Sequence, residues 1–583
     1  MAVNRRREDV AGRAATRWRW RHRALGLVLA AAPLVLLGRA IQLQVVEADF
    51  LHEQARARQE RVLPLAAHRG LIVDRRGEPL AVSTPMESIW ASPRELAGEP
   101  EAIATLARAL ERDPAALGER IERYAGREFV YVARHRAPAE AQALLAQRLP
   151  GVYARREYRR YYPLGEVTGA LLGTTDIDDR GQSGLERLYD RHLTGRTGRT
   201  RVLQDRHGGM IHEFGELAAA EPGRRLELAL DARLQYVAYR ALKEAMATHR
   251  ARSGSVVLLD VASGGVLAMV NQPASNPNGR RQAGWQPGRN RAVTDQFEPG
   301  SSMKPLIVAT ALEHGALQPQ ALVDTHPGWF VVQGKTIKDP RDFGVVSLAE
   351  LLARSSNVGA SKISLSLPPQ VLHQTLRGFG FGEATASLFP GESAGRLDGY
   401  DRWRPLHRAT IGYGYGVSVT ALQLAQAYAV LAADGLLRPP SFLKTPTEPA
   451  VRVLQPATAR AVRAMLEQVV ADGSGRAAQL PGYRVGGKTG TAHKSVGGRY
   501  DRNRYVAVFA GLAPVSAPRV VAVVMIDEPS AGQYYGSAVA APVFRQVVDA
   551  ALRLLAVPPD ALPAQPAPAA AGLLARLEAR EAG

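Results

Sequence analysis

With 583 residues the chain is too long for a single hydrophobic core, so two or three domains are expected. A composition of 46% hydrophobic and 22% charged residues excludes a mainly disordered chain, and the absence of cysteine excludes a thiol nucleophile, Cys-ligated zinc, iron–sulfur clusters and a disulfide scaffold. The formal charge of +19 implies an anionic neighbour, nucleic acid or a membrane surface, and the placement of that charge decides between them.

Residues 1–23 carry eight arginines against Glu8 and Asp9, a net of +6. An apolar run follows over 24–46, interrupted by Arg39, Gln42 and Gln44. As a helix it spans roughly 34 Å, enough for the hydrocarbon core of a bilayer. Trp18 and Trp20 sit where an interfacial belt would lie, and the arginines before them keep the N-terminus cytoplasmic. Arg39, near the outer end, can snorkel outward. A cleaved signal peptide is the competing reading, because Gly38-Arg39-Ala40 is a small-x-small triplet. Under both readings everything after residue 46 lies outside the cytoplasm, which sets nucleic acid aside as the partner.

Residues 47–223 form an Arg-rich region with mixed signals. Ile103 to Tyr124 and Pro138 to Gln147 have the periodicity of amphipathic helices, and Gly70–Asp74 reads as a short strand before a turn at Arg76-Gly77. Residues 224–556 change in texture. A helix over Asp231–Thr248 precedes two apolar strands, Ser255–Leu259 and Val266–Val270. Tyr505–Ala510 and Val520–Ile526 read as two more buried strands, and Val539–Leu555 as a closing helix. This alternation predicts an α/β or α+β domain rather than a barrel or solenoid. Residues 557–583 are rich in Pro and Ala and read as a flexible tail.

Several candidate motifs fail. Asp176-Ile-Asp178-Asp-Arg180-Gly181 starts like a calcium loop, but Arg180 and Arg187 stand where oxygen ligands are needed. Gly412-Tyr-Gly414-Tyr-Gly416 lacks the further glycine and the preceding strand of a dinucleotide loop. The thirteen histidines never fall in a recognisable metal spacing, and no GxxxxGK[ST] phosphate loop occurs.

Three motifs survive, all within 224–556. The first is Ser301-Ser-Met-Lys304, after the turn Glu298-Pro-Gly300 and before the apolar stretch Pro305–Leu312, so Ser301 is expected to open a helix with Lys304 one turn on. A desolvated lysine of lowered pKa can take the proton of a serine hydroxyl, and a helix N-terminus offers N–H groups to an oxyanion. Taken alone, Ser301 reads more plainly as an N-cap. The second is Ser355-Ser356-Asn357, inside a helical-looking Leu348–Ala360, where a hydroxyl could relay a proton and a carboxamide could bind an amide. The third is Lys488-Thr489-Gly490-Thr491 after two glycines, a strand edge that a ligand backbone could approach, with a cation and hydroxyls suited to a carboxylate. A glycine-rich turn with a solvated lysine is its plainer reading.

Together and in this order, the three motifs resemble the SxxK, SxN and KTG set of penicillin-binding proteins and β-lactamases. The chain resembles class B penicillin-binding proteins, most of all septal FtsI-type D,D-transpeptidases. The likeness extends to Arg69–Arg75 with Gly77, Gly184–Asp190, Asn290–Asp295, Tyr534-Tyr-Gly536 and Ala541–Phe544. Elongation-specific members tend to have Asp at the third position of the second motif, so Asn357 leans septal.

The resemblance implies a multi-domain α+β and α/β chain with one transmembrane helix (24–46), an elongated non-catalytic pedestal of the dimerisation type (47–223) and a transpeptidase domain (224–556) whose antiparallel sheet is flanked by helices. Carried over residue by residue, it implies that Ser301 is the nucleophile and Lys304 its general base. Ser355 with Lys488 would return the proton to the departing D-alanine, and Asn357 would hold the substrate amide. Backbone N–H groups of Ser301 and Thr491 would form the oxyanion hole, and Thr489, Gly490 and Thr491 would bind the donor terminus.

No metal or organic cofactor is implied. The implied partners are peptidoglycan stem peptides, β-lactams as inhibitors, a SEDS-family glycosyltransferase and other division proteins, at the bacterial inner membrane. A D,D-carboxypeptidase or β-lactamase-like hydrolase and an inactive division scaffold stay open as alternatives.

Overall fold

The computed structural model describes residues 2–51, 53, 60–204, 210–279, 288–445 and 448–561. The expected tail therefore lies outside the described residues from 562 onward. Its first residues are tied down: Asp560 accepts from Arg484 N (2.7 Å) and Ser516 Oγ (2.7 Å), and Tyr483 Oη donates to Val557 O (2.7 Å). Two compact units divide the chain.

The first unit comprises Met1–Ala67, Met86–Glu157 and Arg196–Glu221. Helix α1 (Ala2–Ile41) runs into a π-helical turn, Gln42–Val46. Trp20–Val46 is long and apolar enough to cross a membrane by length and composition. The polar groups at its C-terminal end satisfy one another, Arg39 Nη1 donating to Gln42 Oε1 (2.9 Å) and Gln42 Nε2 to Glu47 Oε1 (2.8 Å). Strands Glu60–Leu65, Gly198–Gln204 and Met210–Ala218 form an antiparallel sheet.

The single helix expected over Ile103–Tyr124 is two, Pro100–Ala109 and Pro114–Arg123. Pro114 disfavours helical backbone at Asp113, which is extended and uses its carboxylate to cap Ala115 N and Ala116 N. These helices bury Leu106 and Ile121 against Ile89 and Val132.

The second unit comprises His68–Pro85, Tyr158–Gly195 and Pro222–Gly583, so division by packing assigns 68–85 and 158–195 differently from division in chain order at 223. Its centre is a five-stranded sheet of β1 (Ser253–Asp260), β2 (Val266–Gln272), β3 (Gly486–Val496), β4 (Arg499–Ala513) and β5 (Val520–Asp527). The order is β2-β1-β5-β4-β3, every pairing antiparallel.

Around it stand α2 (Ala232–Thr248), α3 (Lys304–Glu313), α4 (Leu348–Arg354), α5 (Asn357–Ser366), α6 (Ala421–Ala432) and α7 (Ala541–Leu554). The strands read as continuous apolar runs because both faces of the sheet are covered. Val256, Leu258, Phe509 and Val524 pack with Leu234 and Leu242 of α2 and Phe544 of α7. The alternate residues Val257, Leu259, Val508 and Val523 join the cluster that holds Leu306 of α3, Leu351 of α4 and Tyr428 of α6. Strand β3 is left at the edge, with one side of its backbone unpaired by the sheet.

Candidate active site

Ser301 does not open an α-helix. It lies half-buried in a 3-10 turn, Gly300–Met303, that runs directly into α3 at Lys304. In a 3-10 turn residues i and i+3 eclipse, so the turn keeps Lys304 on the face of Ser301. The turn is anchored from behind by Tyr428 of α6, whose hydroxyl donates to Ser302 O (2.8 Å), and by Ser302 Oγ donating to Pro299 O (2.7 Å).

Two glycines let other segments press on it. A Cβ on Gly490 would lie 2.6 Å from Pro299 O, so β3 reaches the turn only because that position is glycine. Gly414, at φ +84°, would place a Cβ 2.0 Å from Gly300 O, and its own carbonyl accepts from Gly300 N (3.1 Å). The Gly412–Gly416 stretch, set aside as a dinucleotide loop, is a wall of this site.

Helix Leu348–Ala360 is broken in the middle of the second motif. Ser355 adopts the left-handed conformation (φ 58°, ψ 42°), a strain of about 1–3 kcal/mol for a non-glycine residue. Ser356 caps α5, its Oγ accepting from Gly359 N (2.9 Å). Asp339, which no motif signals, holds the break in place. Its carboxylate accepts from Ser356 Oγ (2.5 Å), Asn357 N (2.5 Å) and Val358 N (3.2 Å). The left-handed residue turns Ser355 toward α3.

Lys304 is fully buried, and its Nζ donates to Ser355 O (2.5 Å), Ser355 Oγ (3.1 Å) and Asn357 Oδ1 (2.8 Å). These three acceptors are uncharged. Burial, together with the nearby charge of Lys488, holds the Lys304 ammonium well below the usual lysine range, against a smaller upward pull from Asp339.

Lys488 is also fully buried, its pKa brought down to about 7 by desolvation. Its Nζ donates to Thr489 O (3.2 Å) and Oγ1 (3.3 Å); among the described contacts it makes no hydrogen bond to Ser355. Asn357, expected to face substrate, gives its oxygen to Lys304 and its amide to Lys338 O (3.3 Å). The first two motifs are thus bonded together, and the third joins them through β3's approach to the turn and the field of Lys488 at Lys304.

Along β3 the register with β4 is regular from Gly486 to His493. His493 N donates off the sheet edge to Tyr415 Oη (3.0 Å). Because outward N–H groups recur every second residue, those of Thr491 and Thr489 face the same open edge. Thr491 Oγ1 accepts from Gly536 N (3.0 Å), leaving its own proton to donate, while Thr489 Oγ1 donates to Ser474 Oγ (3.1 Å). Ser474 is a further hydroxyl that no motif signalled. Among the described residues no group of three or more metal-ligating side chains occurs. A buried lysine of lowered pKa on the face of a serine in the turn before a helix, beside a strand edge with outward N–H groups, is suited to acyl transfer.

Residues 254–549 match the family description "Penicillin binding protein transpeptidase domain", and residues 64–228 match "Penicillin-binding Protein dimerisation domain". The chain is 42% identical over 552 residues to the peptidoglycan D,D-transpeptidase FtsI of Escherichia coli K12, covering 93% of each. It is 40% identical over 540 residues to the probable peptidoglycan D,D-transpeptidase PbpC of Pseudomonas aeruginosa, covering 92% of this chain and 95% of that one.

Among solved structures, the transpeptidase domain of Burkholderia pseudomallei penicillin-binding protein 3 is 43% identical, with TM-score 0.53 over 58% of this chain and 98% of that one. Penicillin-binding protein 3 of Mycobacterium tuberculosis in complex with aztreonam is 28% identical, with TM-score 0.64 over 86% of this chain and 98% of that one.

Proposed function

Because the chain is a class B penicillin-binding protein of the FtsI type, a serine peptidoglycan D,D-transpeptidase with a single-pass membrane anchor, we propose that its chemistry runs through Ser301 and Lys304. The observation that carries this is the state of Lys304, buried among neutral acceptors and eclipsed with Ser301. A neutral Nζ takes the Ser301 proton as Oγ attacks the carbonyl between the two terminal D-alanines of a stem peptide. The N–H groups of Ser301 and Thr491 receive the oxyanion. The C–N bond then breaks, and the departing D-alanine amine takes a proton delivered through Ser355, with Lys488 as the second cation of the cleft. An amine of a neighbouring stem attacks the resulting ester, releases Ser301 and forms the cross-link.

Thr489, Gly490 and Thr491 bind the donor end: glycine gives closeness, and Thr491 Oγ1 donates to the terminal carboxylate. Asn357 first orients Lys304 and then meets the substrate amide. Residues 47–223 act as pedestal, 224–556 as the transpeptidase domain and 557–583 as a tail. The arginines of 1–23 place the N-terminus in the cytoplasm and the catalytic domain beyond the inner membrane. Septum formation, with a SEDS-family glycosyltransferase and other division proteins as partners, is the setting we assign.

The test is covalent labelling of membranes with a fluorescent penicillin, wild type beside Ser301→Ala, followed by decay of the label. The expected result is a label that needs Ser301 and persists for many minutes. Decay within seconds would mean a hydrolase, and no label on folded protein would leave a scaffold.

A further inference from the structure

The donor peptide has a direction on this site. Its terminal carboxylate lies at Thr489 and Thr491 and its reacting carbonyl at Ser301, so the residues upstream run along β3 toward His493. There the open edge ends, because Tyr415 Oη takes the His493 N–H. At about 3.3 Å per residue, this is roughly 13 Å from Thr489. An extended peptide must leave the strand at that point.

It leaves into a cavity of about 790 Å³ bounded by Tyr413, Tyr415, His493, Lys335, Arg402 and Arg404. The cations are held by built structure. Hairpin Trp329–Val332 and Lys335–Lys338 reverses at Gln333 (φ 47°) and Gly334 (φ 75°), which sets Lys335 at the rim. Gln333 Oε1 accepts from Leu406 N (3.2 Å), tying that turn to the segment bearing the arginines. Arg402 and Arg404 flank Trp403, which is buried and stacked edge-on with His373.

Among the described residues, none of the three cations has an ion-pair partner, and no carboxylate lines the cavity. Two acids on neighbouring segments have closer partners, although the Arg402 charge also reaches Asp398 through space. Asp398 is clamped by Arg396 (3.0 and 2.8 Å), and Glu298 accepts from Gly416 N (2.7 Å) and Tyr500 Oη (3.0 Å). Three permanent charges therefore face a cavity that the sheet edge feeds.

The geometry points to a carboxylate-reading subsite in which Lys335, Arg402 and Arg404 bind the anionic residues of the donor stem upstream of its D-alanyl-D-alanine end. This rests on the reading of Ser301 as the acylated residue. Guanidinium forks match carboxylates in shape as well as charge, and the phenol faces of Tyr413 and Tyr415 offer a wall to the aliphatic stems between them.

The experiment compares two synthetic donors ending in D-alanyl-D-alanine, one with free upstream carboxylates and one with the same groups as carboxamides. Acylation kcat/KM is measured on the full-length wild type, on Arg402→Ala/Arg404→Ala and on Lys335→Ala, each normalised to sites titrated by penicillin. The expected wild-type preference for the carboxylate donor is about tenfold, weakening as salt is raised and largely lost in the double variant.

Equal rates on both donors in the wild type, or an undiminished preference in folded variants, would overturn the subsite. Should the variants not fold, the wild-type comparison and its salt dependence decide alone. If penicillin fails to acylate Ser301 in wild type, the acyl-enzyme reading itself falls; if penicillin acylates and the donors are not distinguished, only the subsite falls.

Discussion

Two places in the second unit bury cations at similar depth and treat them oppositely. Around Arg69 the charge is answered: Nε meets Glu186 Oε2 at 2.6 Å, Nη1 meets Asp190 Oδ1 at 2.7 Å, and Arg160 Nε meets the other Glu186 oxygen at 2.6 Å. Burial works to lower the Arg69 pKa, but Glu186 and Asp190 outweigh it and raise it. In the cleft, Lys304 and Lys488 are buried just as fully with neutral oxygens as partners, and burial wins. A buried cation with carboxylate partners keeps its proton and fixes the fold. One without them has its pKa drawn down, at Lys488 to about 7, which is the direction a base requires.

The largest effect expected from breaking this contrast is at Lys304. Lys304→Met should slow penicillin acylation by about 10²–10⁴-fold, the usual range for losing a general base. Lys304→Arg sharpens the point, because arginine keeps the positive charge but cannot be deprotonated. Stopped-flow labelling that finds Lys304→Arg close to wild type would end the proton-transfer role and leave Lys304 as a charge alone. On the other side, Glu186→Gln leaves Arg69 and Arg160 buried without their shared anion. Unfolding free energy should drop by about 3–5 kcal/mol in denaturant titration, with acylation per folded molecule unchanged. A loss below about 1 kcal/mol would mean that Asp190 alone suffices.

This asymmetry also explains what the sequence made legible. The three motifs stand out because acyl transfer needs particular side chains at short spacing, and the strands because apolar runs announce themselves. Strand β4 extends beyond the expected Tyr505–Ala510 on the hairpin side, where Arg499 and Tyr500 pair with β3 and the largely polar stretch Arg499–Arg504 carries no apolar signal. Asp339 was invisible for a different reason. Its role depends on a helix break at Ser355, where a serine takes a conformation usually left to glycine, and no local preference predicts that. Gly414 looked like part of a failed nucleotide loop, since its function is a contact with Gly300 more than a hundred residues away in the chain. Tertiary packing decides both.

Lys488 extends the comparison into pH dependence. With a folded pKa of about 7 against 10.5 unfolded, the unfolded chain binds a proton that the folded one lacks between those values. Stability from this group therefore rises with pH across that window, by up to about 1.4 kcal/mol per unit, and is lowest below pH 7. Lys488→Met removes that slope. Its advantage in denaturant midpoint over wild type should be greatest near pH 7 and shrink toward pH 10. A difference independent of pH would show that Lys488 stays protonated in the folded state.

The smallest effect tests a carboxylate that acts on Lys304 without neutralising it. Asp339 raises the Lys304 pKa through space, yet its oxygens are committed to Ser356 Oγ and to the N–H groups of Asn357 and Val358, so it acts as the cap of α5. Asp339→Asn keeps an acceptor for those N–H groups and deletes the charge. Lys304 should then lose its proton more easily, moving the acid limb of the acylation pH–rate profile down by less than about one unit, with a stability loss of about 1 kcal/mol. Because the shift is opposite in sign to what removing a proton acceptor would cause, the direction alone is informative. An acid limb that moves up, or a rate that collapses at every pH, would mean that Asp339 handles the proton itself, and the cleft would then have to be read as a paired site like the one around Arg69.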